Sequence, residues 1–523
     1  MSSPILFGQS YYLRFDPKLW QAMQPYPPLG TLYAASYIRQ RGYEVAFFDA
    51  MLAESEQEWA QSLDQHCPTY AILYEDNFNY LSKMCLSRMR AAAFTMIEMA
   101  KARGATVILC GADATDHAED YLNHGADFVL LGEGEETLGE LLDVLTGRTD
   151  TEFENILGMA WDRRWTVDRR PSEQFTVHRP PSTVGVSPPT VHRPPSTVGI
   201  SPPTVHRPPS TVGISPRRPD IRTLDALPFP AWDLIDIPRY QKLWRERHGY
   251  YSMNLVTTRG CPYHCNWCAK PIWGQRYNSR SPENVVAEIK WLKEQYQPDH
   301  IWFADDIFGL KPGWIERFAA LLREADAVIP FKCLQRADLI TNKVAAALAA
   351  AGCQTVWVGA ESGSQKILDA MDKGDRVEDI QAAAQHLHAH NIQVGFFLQF
   401  GYPGEGWDDI QQTIQMVRDC APDDIGISVS YPLPGTKFFE RVRLELGEKQ
   451  NWVDSDDLAM LYHGPYPQAF YRILHARMHH EFRLRRAWQM RNWKYLLRAP
   501  YYLLGWLRSE LRLRSMALNE TRS

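Results

Sequence analysis

The chain has 523 residues, 45% of them hydrophobic and 23% charged, the composition of an ordinary folded protein long enough for about three domains. Nine cysteines at this length do not make a disulfide framework. No apolar run reaches the ~18 residues of a membrane span, and the start carries no basic leader followed by an apolar stretch, so a cytoplasmic chain with reduced thiols is expected. The net charge of −6 is uneven: residues 171–219 carry +4, residues 470–523 carry +9, and the remaining 420 sum to −19, which argues against a nucleic-acid groove along most of the body.

Residues 1–150 alternate β-forming runs with helical patterns. Strands are predicted at Ile5–Phe7, Val45–Phe48, Tyr70–Tyr74, Thr106–Cys110 and Asp127–Leu131, and helices at Thr31–Arg41, Glu54–Gln65, Leu81–Arg103 and Thr115–His124. Gly42, Gly104 and Gly125 each follow a helical pattern, where a left-handed cap is needed. This alternation predicts a doubly wound, Rossmann-like parallel sheet that binds ligands at the carboxyl ends of its strands. The candidate loops are Pro25–Gly30, Glu75–Phe78, Gly111–Ala114 and Gly132–Glu135.

Residues 151–224 read as a linker. TVHRPPSTVGVSPP (Thr176–Pro189) recurs at Thr190–Pro203 and again at Thr204–Pro216, a period of 14 residues, and 171–219 hold 13 of the 35 prolines. Paired prolines remove backbone donors, and the apolar content is too sparse to offset ordering entropy, so 171–219 is expected to be disordered. His178, His192 and His206, one per unit, read as incidental. Removing 176–216 is expected to leave activity intact.

Alternation resumes over 225–450. Strands are predicted at Asn254–Thr258, His300–Ala304, Phe331–Gln335, Thr355–Gly359, Gln393–Phe400 and Asp424–Ser430, with helices at about 282–296, 312–325, 341–351, 376–390, 406–419 and 436–446. Six βα units predict an open, partial (β/α)6 barrel with function at the strand C-termini. Residues 451–523 read as a basic helical extension. Arginines interleave with aromatics over 470–514, which predicts amphipathic helices packed on the barrel or, in the sharper reading, contact with an anionic membrane.

The strongest chemical signal is CPYHCNWC, which places Cys261, Cys265 and Cys268 directly after the first barrel strand. Three thiolates can hold three corners of an iron–sulfur cube; no fourth cysteine follows in register, so one iron stays open to an exogenous ligand. A structural zinc site wants four closed ligands, and His264 is awkwardly placed beside Cys265 to supply the fourth.

C-x3-C-x-aromatic-C at the end of a first barrel strand resembles the signature of radical S-adenosylmethionine (SAM) enzymes. WFADDIF (Trp302–Phe308), Gln335–Asp338, WVGAESGSQKILDAMDKG (Trp357–Gly374) and FLQFGYPGE (Phe397–Glu405) resemble the ends of that family's second to fifth strands. The resemblance implies a 4Fe–4S cluster on the three cysteines, reductive cleavage of SAM to a 5′-deoxyadenosyl radical, and an electron donor of flavodoxin or ferredoxin type. It also implies SAM contacts from Trp267, Asp305, Asp306, Arg336, Glu361, Ser362 and Gln399, with Glu361 on the ribose and Arg336 on the methionine carboxylate.

Pro25–Ala50 and Gly125–Leu145 resemble the cobalamin-binding domain fused to many radical SAM enzymes. This implies cobalamin contacts from Pro28, Leu29, Gly30, Glu75, Gly111, Gly132, Glu133 and Gly134. The nearest string to a cobalt-ligating motif, Asp64-Gln-His66, lacks its glycine and reads as structural. Together the two resemblances imply a cobalamin-dependent radical SAM C-methyltransferase acting on a small-molecule or lipid-like substrate. The same architecture is open to cyclisation or oxidation. Two other readings are a tRNA methylthiotransferase, with a second cluster on Cys67, Cys85 and Cys110, and a cobalamin-binding sensor or carrier.

Overall fold

The computed structural model describes residues 5–79, 86–162, 165, 212–270, 272–446, 458, 460–490 and 497–520. Strands β1 (Ile5–Gly8), β2 (Val45–Phe47), β3 (Tyr70–Tyr74), β4 (Thr106–Cys110) and β5 (Phe128–Leu130) form a parallel sheet in the order β2-β1-β3-β4-β5. Alternation sends successive side chains to opposite faces. Leu6, Val107 and Leu109 pack with Trp59, Ala92 and Met96 on one side, while Ile5, Phe7 and Ile108 pack with Ala34, Ile38 and Leu141 on the other. The helices that supply these layers are α1 (Pro17–Ala22), α2 (Leu29–Gln40), α3 (Glu56–His66), α4 (Ser87–Ala102), α5 (Ala112–Asp116), α6 (Ala118–Asn123) and α7 (Glu135–Leu145). Gly42, Gly104 and Gly125 take the expected left-handed φ of +80°, +84° and +103°. The strand order reverses between β1 and β3, the switch point where such sheets bind ligands.

Two differences from the sequence reading have local causes. The helix expected at Thr115–His124 breaks at His117 into α5 and α6, with Asp113 held by Arg90 at 2.6 Å and by the Tyr121 hydroxyl at 2.6 Å. The second is at the sheet edge. β6 (Met159–Asp162) and β7 (Val212–Ile214), both assigned to the linker, add to β5 as antiparallel strands. Trp161 lies opposite Gly213, where any side chain would overlap the indole, so the glycine of the third repeat unit is what lets β7 pair. Ser215 donates its N–H to the Met159 carbonyl at 2.9 Å, and the Gly158 N–H reaches the Pro216 carbonyl at 2.8 Å. Residues 166–211, with most of the tandem repeat, lie outside the described residues.

The second sheet is wholly parallel and follows chain order: β8 (Ser252–Leu255), β11 (His300–Phe303), β12 (Phe331–Gln335), β13 (Cys353–Glu361), β14 (Gln393–Phe400) and β15 (Asp424–Val429). A short hairpin, β9 (Thr258–Arg259) with β10 (Asn278–Ser279), follows β8. Helices α8 (Ile237–His248), α9 (Pro282–Tyr296), α10 (Trp314–Glu324), α11 (Asn342–Ala351), α12 (Gln365–Ala370), α13 (Val377–Ala389), α14 (Trp407–Cys420) and α15 (Lys437–Val442) accompany the strands. Their starts are legible: Ser281, Thr341 and Thr436 accept the N3 amide at α9, α11 and α15. This is the expected partial barrel, with the short α12 as an addition.

The extension forms two long helices, α16 (Gln468–Met490) and α17 (Ala499–Glu520), packed on each other. α16 is tied to α14 by Arg418–Glu481 at 2.6 Å, and to α17 by Arg477–Glu510 at 3.0 Å. Among the described residues no helix is long and apolar enough to cross a membrane. Deleting residues 176–209, which spares β7, is expected to leave the calorimetric unfolding midpoint within ~1 °C of the parent. Extending the deletion through Pro216 removes a sheet strand and should lower the midpoint by roughly 5 °C.

Candidate active site

β9 ends at Arg259, and Gly260 turns the chain at φ +79°; a Cβ there would overlap the Arg276 carbonyl oxygen, so only glycine fits before Cys261. Cys261, Cys265 and Cys268 then lie half-buried on one loop. Burial pushes the Cys261 thiol up, and burial with the nearby Asp306 carboxylate pushes Cys268 up to about 12. Each also feels the other cysteines. Cations surround the loop: Arg336 Nη1 is 3.9 Å from Cys265 Sγ, Lys270 faces Cys261 and Cys268, and Lys373 acts on Cys265. Such thiols ionise when a metal takes the proton's place. They do not converge on one ion: among the described residues no three His, Cys, Asp or Glu side chains do. A cuboidal cluster, which takes each cysteine at its own iron, suits this spread donor set better than a lone zinc ion.

Asn266 pins the loop. Its backbone N–H donates to the Met371 carbonyl at 3.0 Å, its side-chain amide donates to Ala370 at 2.8 Å, and its amide oxygen accepts from the Tyr402 hydroxyl at 2.8 Å. Trp267 packs beside Ile367, Met371 and Phe438, and its buried indole N–H has no hydrogen-bond partner among the described residues.

The strand ends separate the other expected SAM contacts into two groups. Glu361 sits at left-handed φ +58° at the end of β13, a conformation costly for a non-glycine residue and characteristic of constrained sites. Its carboxylate faces Lys373 Nζ at 3.3 Å, and Lys373 lies 4.0 Å from Asp375. Arg336 is paired with Asp375 and with Asp338 at 3.0 Å, and its guanidinium lies 3.7 Å from the centre of the Tyr263 ring, so it reaches the cysteine loop already neutralised. Asp306 stands on the thiol side.

The second group is engaged in holding the fold. Asp305 accepts from the Thr257 amide at 2.7 Å, its hydroxyl at 2.6 Å and the Thr258 amide at 2.9 Å, so it ties β11 to the turn after β8 instead of facing the cleft. Ser362 turns to Thr413 on α14 at 3.1 Å, and Gln399 accepts from the Ser430 hydroxyl at 3.3 Å.

The candidate cobalamin residues line the C-terminal edge of the first sheet, at the β1–β3 switch point and beside it. Pro28 and Leu29 begin α2, with Leu29 in the core. The Gly30 amide is bound by Asp76 at 2.9 Å. Glu75 accepts the Ser10 amide at 3.0 Å, and a Cβ on Gly111 would meet Glu75 at 2.8 Å. Gly132 turns at φ +81°, and Gly134 gives way to the Cys110 thiol. On the loops after β1 and β3, the Tyr11 hydroxyl and the Asn77 amide oxygen are buried without hydrogen-bond partners among the described residues, which fits a polar ligand at this edge. His66 ends α3 at the opposite edge.

Glu133 departs most from expectation. With Glu135 it clamps Arg259, at 2.6 and 2.7 Å, all three side chains being 3–5% exposed. The Trp273 indole donates to Glu133 at 3.1 Å. Phe78 stacks on Trp273 at 5.1 Å, and the Arg280 guanidinium donates to the Tyr33 hydroxyl at 3.0 Å. The first sheet's carboxyl edge is therefore fastened to the residue two before Cys261. Asn266 and Lys373 lie inside the quoted CPYHCNWC and Trp357–Gly374 stretches and Arg259 just before the first, but the sequence reading singled out none of the three, and nothing local marks their partners.

Residues 255–417 match the radical SAM superfamily. Over 79% of the chain and 78% of the relative, 25% of residues are identical to an uncharacterised methyltransferase of Pyrococcus horikoshii. Identity is 22% to the cytidylyl-2-hydroxyethylphosphonate methyltransferase of Streptomyces wedmorensis, over 85% of this chain and 82% of that one. The fold is similar to TsrM from Kitasatospora setae, a radical SAM methyltransferase solved with cobalamin and a 4Fe–4S cluster bound. There the TM-score is 0.58 at 18% identity, covering 82% of this chain and 75% of that one. OxsB, solved with aqua-cobalamin and SAM, gives a TM-score of 0.60 at 16% identity over 80% of this chain and 52% of that one.

Burial pushes the Glu75 carboxyl up to about 7 from an ordinary 4.5. The folded state thus holds a proton that the unfolded chain releases. Its stability contribution is complete below pH 4.5 and is lost as pH rises through 7, by about 3 kcal/mol. Glu75→Gln is expected to remove that component, and urea titrations of both proteins between pH 4.5 and 7.5 check it.

Proposed function

We propose that this chain, whose residues 255–417 match the radical SAM superfamily, is a cobalamin-dependent C-methyltransferase acting on an unactivated carbon of a small-molecule or lipid-like substrate. The observation that carries this reading is the Arg259 clamp, which joins the candidate cobalamin edge to the cysteine loop. When bound, the cluster would supply the electron that breaks the sulfonium bond of SAM, and cobalamin the methyl group. Cys261, Cys265 and Cys268 would hold the cluster, and Lys270, which faces Cys261 and Cys268, would offset its negative charge. Glu361, poised by its backbone and by Lys373, would accept from a ribose diol, while Asp306 stands near Cys268 and Trp267 packs on Ile367 and Met371 as further candidate contacts. Gly30, Gly111 and Gly134 let the loops of the candidate cobalamin edge pack against Asp76, Glu75 and Cys110, Gly132 turns beside the Ile272 carbonyl, and no histidine lies on those loops to ligate cobalt. Aromatic packing of Phe78 and Trp273 excludes water where the two modules meet. Electrons come from a flavodoxin- or ferredoxin-type donor.

A second cluster in the first domain is disfavoured. Cys67 caps α3 before β3, whereas Cys110 ends β4, about a strand length of 15 Å away at the other edge; Cys85 lies outside the described residues. A mere cobalamin carrier would not need the Cys265–Arg336–Lys373–Glu361 arrangement.

The extension supports contact with an anionic membrane surface. Leu497, Tyr501, Leu504 and Leu511 repeat at helical spacing along α17 and its approach, and are 54–71% exposed. Exposed Arg498, Arg508 and Arg512 border this stripe. An apolar face rimmed by arginines lies in a lipid headgroup boundary. Leu504→Asp/Leu511→Asp is expected to abolish co-sedimentation with phosphatidylserine vesicles at low salt; binding that persists in the variant, or none by the parent, contradicts this contact.

Anaerobic reconstitution with iron, sulfide and cobalamin tests the reaction. About four irons per chain are expected, with 5′-deoxyadenosine formed from SAM under reduction and a mass gain of one methyl in a metabolite screen. Cys265→Ala should lose both iron and SAM cleavage. About eight irons, or deoxyadenosine with no methylated product when the substrate is present, would count against methyl transfer.

A further inference from the structure

The concave face of the barrel carries a cation that the chemistry above does not use. Lys332 and Trp302 are direct partners across β12 and β11, so both side chains stand on one face. The Lys332 ammonium lies 4.7 Å from the Trp302 ring centre and 5.8 Å from that of Tyr26, which enters from the N-terminal module and bonds Ser252 at 3.0 Å. Among the described residues no carboxylate comes within 4 Å of this ammonium, in contrast to Arg259, Arg280 and Lys373, each of which has at least one. The nearby His300 is held neutral by its own burial and by Lys332. A half-buried amine flanked by two aromatic faces and no carboxylate lacks an electrostatic partner until an anion arrives. Burial alone lowers its pKa, to about 8, so it stays largely charged at neutral pH.

The next level of the same face is a flat aromatic floor. Trp357 lies across Gly395 of β14, where a Cβ would meet the indole at 2.5 Å, and stacks on Phe397 at 4.7 Å. Gly426 on β15 leaves room on the other side of Phe397, whose side chain is 40% exposed, and Trp302, Leu334 and Trp357 of the same sheet are half-buried. Lys332 precedes Arg336 by four residues, about 13 Å of strand, so it stands well below the cysteine loop.

We propose that this lumen is the substrate site: a planar apolar body rests on Trp357 and Phe397, and an anionic group, carboxylate or phosphate, pairs with Lys332. This rests on the reading of the chain as a radical SAM enzyme and narrows its substrate to an anionic, flat amphiphile. Naphthalene-2-carboxylate, 2-naphthyl phosphate and the neutral naphthalene-2-carboxamide, titrated calorimetrically into the anaerobically reconstituted full chain, test it. At least one anion is expected to bind tenfold or more tightly than the amide, and the tighter of the two anions identifies the group. Lys332→Gln should erase that preference, Lys332→Arg should keep it, and Trp357→Ala should weaken all three probes. Equal binding of anions and amide to the parent, no binding of either anion, or a preference that survives Lys332→Gln overturns the proposal. Reductive SAM cleavage by the parent protein is measured on the same preparation. If it fails, the enzymatic reading falls; if it succeeds without an anion preference, only the lumen assignment falls.

Discussion

A guanidinium buried between two carboxylates holds this molecule's chemistry together. Taking Arg259, Glu133 and Glu135 out of water costs several kcal/mol per charge, and short, well-directed bonds only offset that cost. Burial by itself would depress the arginine, yet the two carboxylates hold it firmly protonated, while burial raises Glu133. An apolar contact of similar size would join the modules as well. What the ion pair adds is direction: it fixes the loop after β5 against the residue that precedes Gly260 and the first cysteine. Because Gly260 admits no side chain, displacement at Arg259 passes straight into the cysteine loop.

The other parts of the site are held by the same kind of cross-element tie. Asn266 secures the middle of the cysteine loop to α12 and to Tyr402, and Asp305 secures β11 to the turn after β8. Ser362 and Ser364 close onto α14, where Gly363 packs against backbone with no room for a Cβ. These residues take up buried hydrogen-bonding capacity, so they keep the cleft rigid without entering it. Glu361, Lys373, Arg336 and Asp306 are left around the thiols as the groups able to meet a charged, polar cofactor.

Much of the fold was legible because parallel sheets write themselves locally. β3, β4, β12 and β14 match their expected limits, since each is a continuous β-forming run bounded by turn residues. That three half-buried cysteines share one loop was legible from spacing alone. β6 and β7 were not, because a short strand such as Val212–Ile214 carries no signal until Trp161 supplies the indole that fits over Gly213. The ties that Glu133 and Asp305 make to Arg259 and Thr257 were not legible for a related reason. An acidic residue at a strand end looks the same in sequence whether it faces a ligand or a buried arginine far along the chain. Lys332 shows the converse: a lysine inside a strand reads as surface until register places it beside Trp302.

The central claim is that one interface serves both the cysteine loop and the cobalamin edge. It is tested most directly by electron paramagnetic resonance of anaerobic protein carrying cob(II)alamin and the reduced cluster. The account predicts that the two paramagnets broaden and relax one another in the parent, and that this interaction weakens in Arg259→Leu while the cluster remains intact. Two independent signals in the parent, unchanged by Arg259→Leu, would contradict it.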